Sequence, residues 1–151
     1  MYNQFGIAVG ALVLKGKKVL LLHRTDYDMW DLPSGGLEPN EDILQALKRE
    51  IKEETGLKVE PKKLVGVYHN FITRVIVLLF TVRVISGHLT ENSEADNFGY
   101  FHYQRLPKNT FPKQVERIND YFAQKIKPVI KVQKSIPSTK ALKLHKKNKK
   151  Y

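Results

Sequence analysis

The N-terminal part of the chain alternates between apolar runs and short polar breaks. Residues 5–14 are rich in Val, Ile and Ala, residues 15–17 (Lys-Gly-Lys) read as a turn, and residues 18–23 (KVLLLH) are apolar again. The pair reads as a hairpin, and its near-continuous apolarity predicts burial on both faces. Residues 24–31 form a polar and aromatic loop. Pro33 holds Leu32 extended, and Gly35 and Gly36 permit a backbone turn that side chains would block. The period then changes. Over residues 41–55, Leu44, Leu47 and Ile51 fall in one sector of a helix, which predicts a buried stripe. Asn40 is placed to cap this helix, Glu41 and Asp42 suit its first turn, and Gly56 suits the left-handed residue that ends it.

Residues 57–61 and 63–70 look extended, with a break between them. Residues 73–85 (TRVIVLLFTVRVI) are a β-branched strand, which puts Asn70-Phe71 near a hairpin turn. Residues 86–97 are polar, and residues 98–103 (FGYFHY) are a short aromatic strand that ends before Leu106-Pro107. A second helix is expected over residues 113–127, with Val115, Ile118, Phe122 and Ile126 as its apolar stripe and Pro128 as its stop. Beyond it, Ile130, Val132, Ile136, Leu142 and Leu144 are scattered among lysines, as a tail or a final packed element. The order β-β-(loop)-α-β-β-β-α predicts an α/β fold with a mixed sheet between helices. One domain over residues 1–128 and a C-terminal segment over 129–151 describe the chain.

Charge redraws that boundary. The formal net charge is +11, but ten of the 26 basic residues are lysines from Lys125 onward, where no acid occurs. The 16 remaining basic residues face 15 acids, so the body is nearly neutral. Three readings fit the lysine-rich segment: a solubilising tail, a packed element, or an arm for nucleic acid, the last disfavoured because no base-stacking aromatics are interleaved. No apolar run approaches a membrane span, and the N-terminus lacks a basic stretch ahead of its apolar part, so no signal peptide or membrane partner is expected. The chain has no cysteine. That excludes thiolate metal sites and disulfides, and fits a cytoplasmic location.

Glu50, Glu53 and Glu54 are spaced i, i+3, i+4, so they project within one sector beside the apolar stripe. Acids crowded in this way repel one another unless a cation sits among them, and a hard divalent ion is the natural occupant. Residues 35–57 resemble the signature of the Nudix hydrolases, G-x5-E-x7-R-E-U-x-E-E-x-G-U, with U a bulky aliphatic. Gly35, Glu41, Arg49, Glu50, Ile51, Glu53, Glu54, Gly56 and Leu57 fill every fixed position. The lead-in from Trp30 to Gly36 is also similar to the family's. Ser34 stands where many members carry a further glycine, and Asn40 where glycine usually precedes the first glutamate.

The resemblance implies an α/β/α sandwich in which this stretch forms a loop-helix-loop. It implies a divalent metal, Mg2+ or Mn2+, held by Glu50, Glu53, Glu54 and the backbone carbonyl of Gly35. Arg49 would orient the acids and Glu41 would pair with it. An acid from outside the signature commonly completes the site. Glu94 is the first choice, because EADNFGYF is similar to the family's acid-then-aromatic segment, with Asp96 and Glu91 as alternates. Arg24 is placed to grip a phosphate. Trp30, Tyr27, Phe71 and Tyr100 are candidates to stack on a base, although aromatics more often fill cores. His23, His69, His88, His102 and His145 show no metal-ligand spacing and read as structural.

The activity implied is metal-dependent hydrolysis of a diphosphate linkage in a nucleoside diphosphate joined to another group. The proline that marks ADP-ribose hydrolases is replaced by Thr73, and the tyrosine that marks diadenosine polyphosphate hydrolases by Val75. No coenzyme A signature precedes Gly35. By elimination, a small MutT-like nucleotide substrate is expected. Two alternatives are an RNA 5′-end hydrolase that uses the lysine-rich segment, and a non-catalytic nucleotide sensor, against which the intact glutamates argue.

Overall fold

The first apolar run forms β1 (Gly6–Lys15) and the second forms β2 (Lys18–Arg24) in the computed structural model, which describes residues 4–123 and 126–134. Their hairpin pairing is short, Leu14 opposite Val19 and Lys15 opposite Lys18. Beyond it the strands diverge and serve two halves of one sheet. β1 runs parallel to β6 (Val75–Gly87), which pairs antiparallel with β5 (Leu57–Asn70); β2 pairs antiparallel with β7 (Ala95–His102). Two short strands in the polar loop complete this region: β3 (Trp30–Asp31) on β2 and β4 (Ser34–Gly36) on β1. Sequence pattern alone reads both as loop, because runs of two and three residues carry no detectable period.

Alternation along the strands explains why both faces are buried. Val9, Ala11 and Val13 of β1, with Leu20 of β2 and Leu57 and Val59 of β5, pack on one face against Ala46, Leu47 and Ile51 of α1 (Ile43–Thr55). Leu12, Val19, Leu21, Val65, Tyr68, Val77 and Leu79 point the other way, onto Ile118 of α2 (Pro112–Phe122). The result is the expected α/β sandwich, a mixed eight-stranded sheet between two helices.

Several boundaries differ from the sequence reading. α1 starts two residues late. Asp42 caps it in a capping box with Gln45, while Asn40 takes a left-handed conformation (φ 63°), which Asn tolerates better than most residues. Leu44 is 45% exposed rather than part of the buried stripe. β5 is continuous through the expected break, which is instead a set of register shifts around Pro61 and Leu64; proline has no N–H to give to a ladder. Asn70 closes the β5–β6 turn by accepting the amides of Ile72 and Thr73. α2 ends at Phe122, not at residue 127. Ile126, assigned to its stripe, is fully exposed. The buried face of α2 carries Gln114, Arg117 and Asp120 beside Ile118.

Past α2, β8 (Val129–Val132) joins the edge of the sheet parallel to β5. Most of the lysine-rich segment, residues 135–151 with His145, lies outside the described residues. Among the described residues no helix is long and apolar enough to cross a membrane.

Candidate active site

The loop carrying β4 and the inner face of α1 form one wall of a cleft of about 510 Å³; Arg24 at the end of β2, Asp26 after it, and Glu94 just before β7 form the other. Five carboxylates line it, those of Asp26, Asp31, Glu50, Glu54 and Glu94, against the single guanidinium of Arg24. The spacing that puts Glu50 and Glu54 on adjacent turns therefore aims both into one space.

Glu54 is the more enclosed of the two. Its carboxylate accepts the backbone amide of Ser34 at 3.1 Å. Burial drives its pKa up to about 8, with Asp31, Glu50 and Glu94 adding to the rise. Glu50 is also shifted upward, chiefly by burial, with its neighbours Glu53 and Glu94 contributing against the opposing pull of Arg49. Gly35 matters here for a steric reason. A Cβ built on it would fall within the carboxylate of Glu50. Only glycine lets the loop and this side chain come together.

Arg49 organises the outer half of the acidic group. Its Nε and Nη2 donate to both oxygens of Glu41, at 2.9 and 2.6 Å, Nη2 also reaches the carbonyl of Gly36, and Nη1 reaches Glu50 at 2.9 Å and Glu53 at 3.3 Å. The fork-on-fork geometry spans the eight residues between Glu41 and Arg49. This pairing holds Glu41 down to about 2. Glu53 itself turns outward, 57% exposed, and lines a neighbouring surface pocket with Glu91.

The residues from outside the signature sort cleanly. Glu94 enters the cleft; Asp96 is hydrogen-bonded to His23 Nδ1 at 2.6 Å, and Glu91 lies with Glu53. Arg24 lines the cleft but is already held by Asp26 (2.7 and 2.8 Å) and Asp31 (3.3 Å). The aromatic candidates do not line the cleft. Trp30 packs edge-on between His23 and Phe101, Tyr27 lies by Arg24 and Met29, Tyr100 packs on the core under the Lys15 amine, and Phe71 is on the β5–β6 turn.

The sequence reading also misses a buried polar chain behind the cleft. Asp31 takes Arg24 on one oxygen and the amide of Gln114 (2.6 Å) on the other; the Gln114 carbonyl accepts Arg117 Nη1, and Arg117 Nε donates to Gln133. Asp31 beside the Trp30 lead-in was the one sequence signal for it. The links from Gln114 to Asp31 and from Arg117 to Gln133 join partners 83 and 16 residues apart.

A divalent cation fits this cleft on two counts. The donors are hard carboxylate oxygens, and Glu50 and Glu54 resist ionising together, as carboxylates do where a cation is needed among them. Among the described residues no three acidic or imidazole side chains form a ready-made cage. Magnesium needs none, because it is characteristically held by one or two carboxylates with water and substrate phosphates.

The chain is similar to known proteins over most of its length. A protein of Methanocaldococcus jannaschii named ADP-ribose pyrophosphatase is 34% identical over 132 residues, 83% of this chain and 78% of its own. A MutT-like protein of Streptomyces ambofaciens is 35% identical over 57% of this chain and 56% of its own. The crystal structure of a NUDIX hydrolase from Nitrosomonas europaea superimposes with a TM-score of 0.77 at 22% identity, covering 89% of this chain and 82% of that one. The family model of the NUDIX domain matches residues 4–122. With its glutamate helix, glycine loop and sandwich fold in register with that match, the chain belongs to the NUDIX family, hydrolases of phosphorus-containing anhydrides.

Proposed function

We propose that this protein hydrolyses the diphosphate linkage of a nucleoside diphosphate joined to another group, and needs Mg2+ or Mn2+ to do so. The observation that carries this reading is the charge of the cleft. Five carboxylates and one arginine cannot receive a diphosphate without added positive charge, because like charges at contact distance repel strongly in a partly buried site. When bound, the cation supplies that charge to the phosphate oxygens and acidifies a water.

The protein's own groups divide the remaining work. Glu50 and Glu54, with the Gly35 carbonyl, would hold the cation. Glu53 lies at the rim beside them, held by Arg49. Arg49, locked by Glu41, fixes the rotamers of Glu50 and Glu53. Arg24 is the single cation aimed into the cleft and orients a phosphate. Glu94 is the cleft acid whose carboxylate has no hydrogen-bond or ion-pair partner among the described residues, and it takes the proton of the attacking water. The small-nucleotide preference expected from the sequence and the activities named for the relatives support a nucleoside diphosphate derivative as substrate.

The test is phosphate release from a panel of nucleoside triphosphates, ADP-ribose, nucleotide sugars, dinucleoside polyphosphates and 5′-triphosphorylated RNA, with Mg2+ and with chelator. Wild type and Glu50→Gln are compared. Turnover that needs the metal and falls by about 10²-fold or more in the variant supports the reading. Tight nucleotide binding without turnover on any compound overturns it in favour of a sensor.

A further inference from the structure

On the far side of the Ser34–Gly36 loop from the acidic cleft lies a second cavity of about 330 Å³. The two share Ser34, Gly35 and Gly36 as a common wall. Their linings are opposite in charge. The second cavity carries Lys113 and Arg117 and no carboxylate; its other walls include Thr73, Val75 and Val77.

Both cations lie on one face of α2, spaced i, i+4, where like charges repel. Arg117 is nearly inaccessible (5%); among the described residues its hydrogen bonds go to the neutral side-chain oxygens of Gln114 and Gln133, the ring of Tyr68 lies 5.0 Å from its guanidinium, and the Asp31 carboxylate acts on it from behind Gln114. Among the described residues the Lys113 amine has neither a hydrogen bond nor an ion pair, and lies 5.6 Å from the ring of Phe111. Burial lowers its pKa, with Arg117 and Arg24 adding to the fall and Asp31 only partly opposing it. The N-terminus of α2, without a side-chain cap, adds partial positive charge at the same end. Asp31 acts on both cations, but its two oxygens are already taken by Arg24 and Gln114, so the pair is only partly compensated and favours the arrival of something anionic.

We propose that this cavity binds a phosphate or carboxylate group, and that the group belongs to the substrate: a diphosphate compound one end of which carries a further anion. The shared loop wall allows one molecule to reach both spaces. Its diphosphate lies in the acidic cleft and its charged end meets Lys113 and Arg117. The assignment of the diphosphate rests on the hydrolase reading above; the anion site does not.

Two measurements decide it. In the first, inorganic phosphate is titrated into the full-length protein in chelator, and the methyl resonances of Val75 and Val77 are followed by NMR. Saturable shifts are expected, weakened about tenfold in Lys113→Gln, the loss typical of one charge-assisted hydrogen bond, and retained in Lys113→Arg. Unmoved methyls in wild type overturn the anion site, whatever the enzyme hydrolyses. In the second, kcat/KM is compared within matched pairs: UDP-glucose against UDP-glucuronate, and ADP-ribose against its 2′-phosphorylated form. The charged member is preferred about tenfold or more in at least one pair, and that ratio falls toward unity in Lys113→Gln. Phosphate shifts without any preference overturn the substrate assignment and make the site one for a free anion. Phosphate shifts without turnover on any compound place the failure in the hydrolase reading.

Discussion

Gly35→Ala isolates one contact on which the acidic cleft depends. Gly35 has no positive φ, so the backbone itself accepts alanine. The added Cβ meets the three carboxylate atoms of Glu50 well inside contact range, where ordinary van der Waals contact begins at 3.4 Å. The carboxylate must retreat by roughly 1 Å or more. That displacement breaks its 2.9 Å hydrogen bond to Arg49 Nη1 and moves one of the two inner carboxylates proposed to hold the metal. Misplacing a reacting constellation by about 1 Å lowers rate by about 10²-fold. The expected outcome is a folded protein with kcat/KM down about 10²-fold under Mg2+. Gly36→Ala is the comparison, because a Cβ there meets nothing within 4 Å; its loss stays far smaller. Both variants are assayed for metal-dependent phosphate release after thermal melts show that they fold. Equal activities in wild type and Gly35→Ala would refute the claim that this glycine exists to seat Glu50.

Three further predictions test separate parts. Glu94→Gln lowers kcat by about 10²-fold or more with folding intact, as removal of a general base does; steady-state kinetics read it, and an unchanged kcat removes Glu94 from the mechanism. Gly56→Ala destabilises by about 2 kcal/mol or more in urea melts, because Gly56 has φ 83° and a Cβ would strike the carbonyl of His88. His23 gives a pH signature. Burial pulls its pKa down, but hydrogen bonds to Asp28 (2.9 Å) and Asp96 (2.6 Å) outweigh it and raise the pKa overall. The folded state therefore binds the proton more tightly than the unfolded one. Its stabilisation is full below the unfolded value near 6.5 and is lost as pH rises through the folded value. In His23→Gln this part of the stability–pH curve flattens; an unchanged curve rules out the clamp.

The layers of the fold were legible because alternation in β1, β2 and β6 and the helical period of α1 each carry their own signal. What failed did so where a residue's environment comes from distant partners. Asn40 and Asp42 are both good caps by type, and only the reach of Gln45 decides between them. Gln114, Arg117 and Asp120 look like the polar side of α2, yet they are buried, because Asp31, Gln133, Tyr68 and Lys131 supply their hydrogen bonds. Gly35, Glu50, Glu54, Arg24 and Glu94 line one cleft. Glu53 faces outward, and Trp30, Tyr27 and Tyr100 serve packing. A spacing rule assigns a side chain to a sector of a helix; it does not say how far the opposite wall lies.

Lys113 separates a structural from a functional account of α2. A half-buried amine that no carboxylate pairs with directly among the described residues lowers the stability of the folded chain, whereas Arg117 on the same face has its hydrogen bonds met. Lys113→Met should therefore raise stability by about 1 kcal/mol, a gain of about 3 °C in Tm for a chain of this size. Arg117→Met should lower it, because Gln114 and Gln133 lose their donor and are left buried and unsatisfied. The two substitutions remove the same charge from the same face and are expected to act with opposite sign. Residues that reduce stability where they stand are characteristically retained for binding. A Tm that falls in Lys113→Met would mean that the amine has a partner in the folded protein, and the basic cavity would lose its main claim to an external anion.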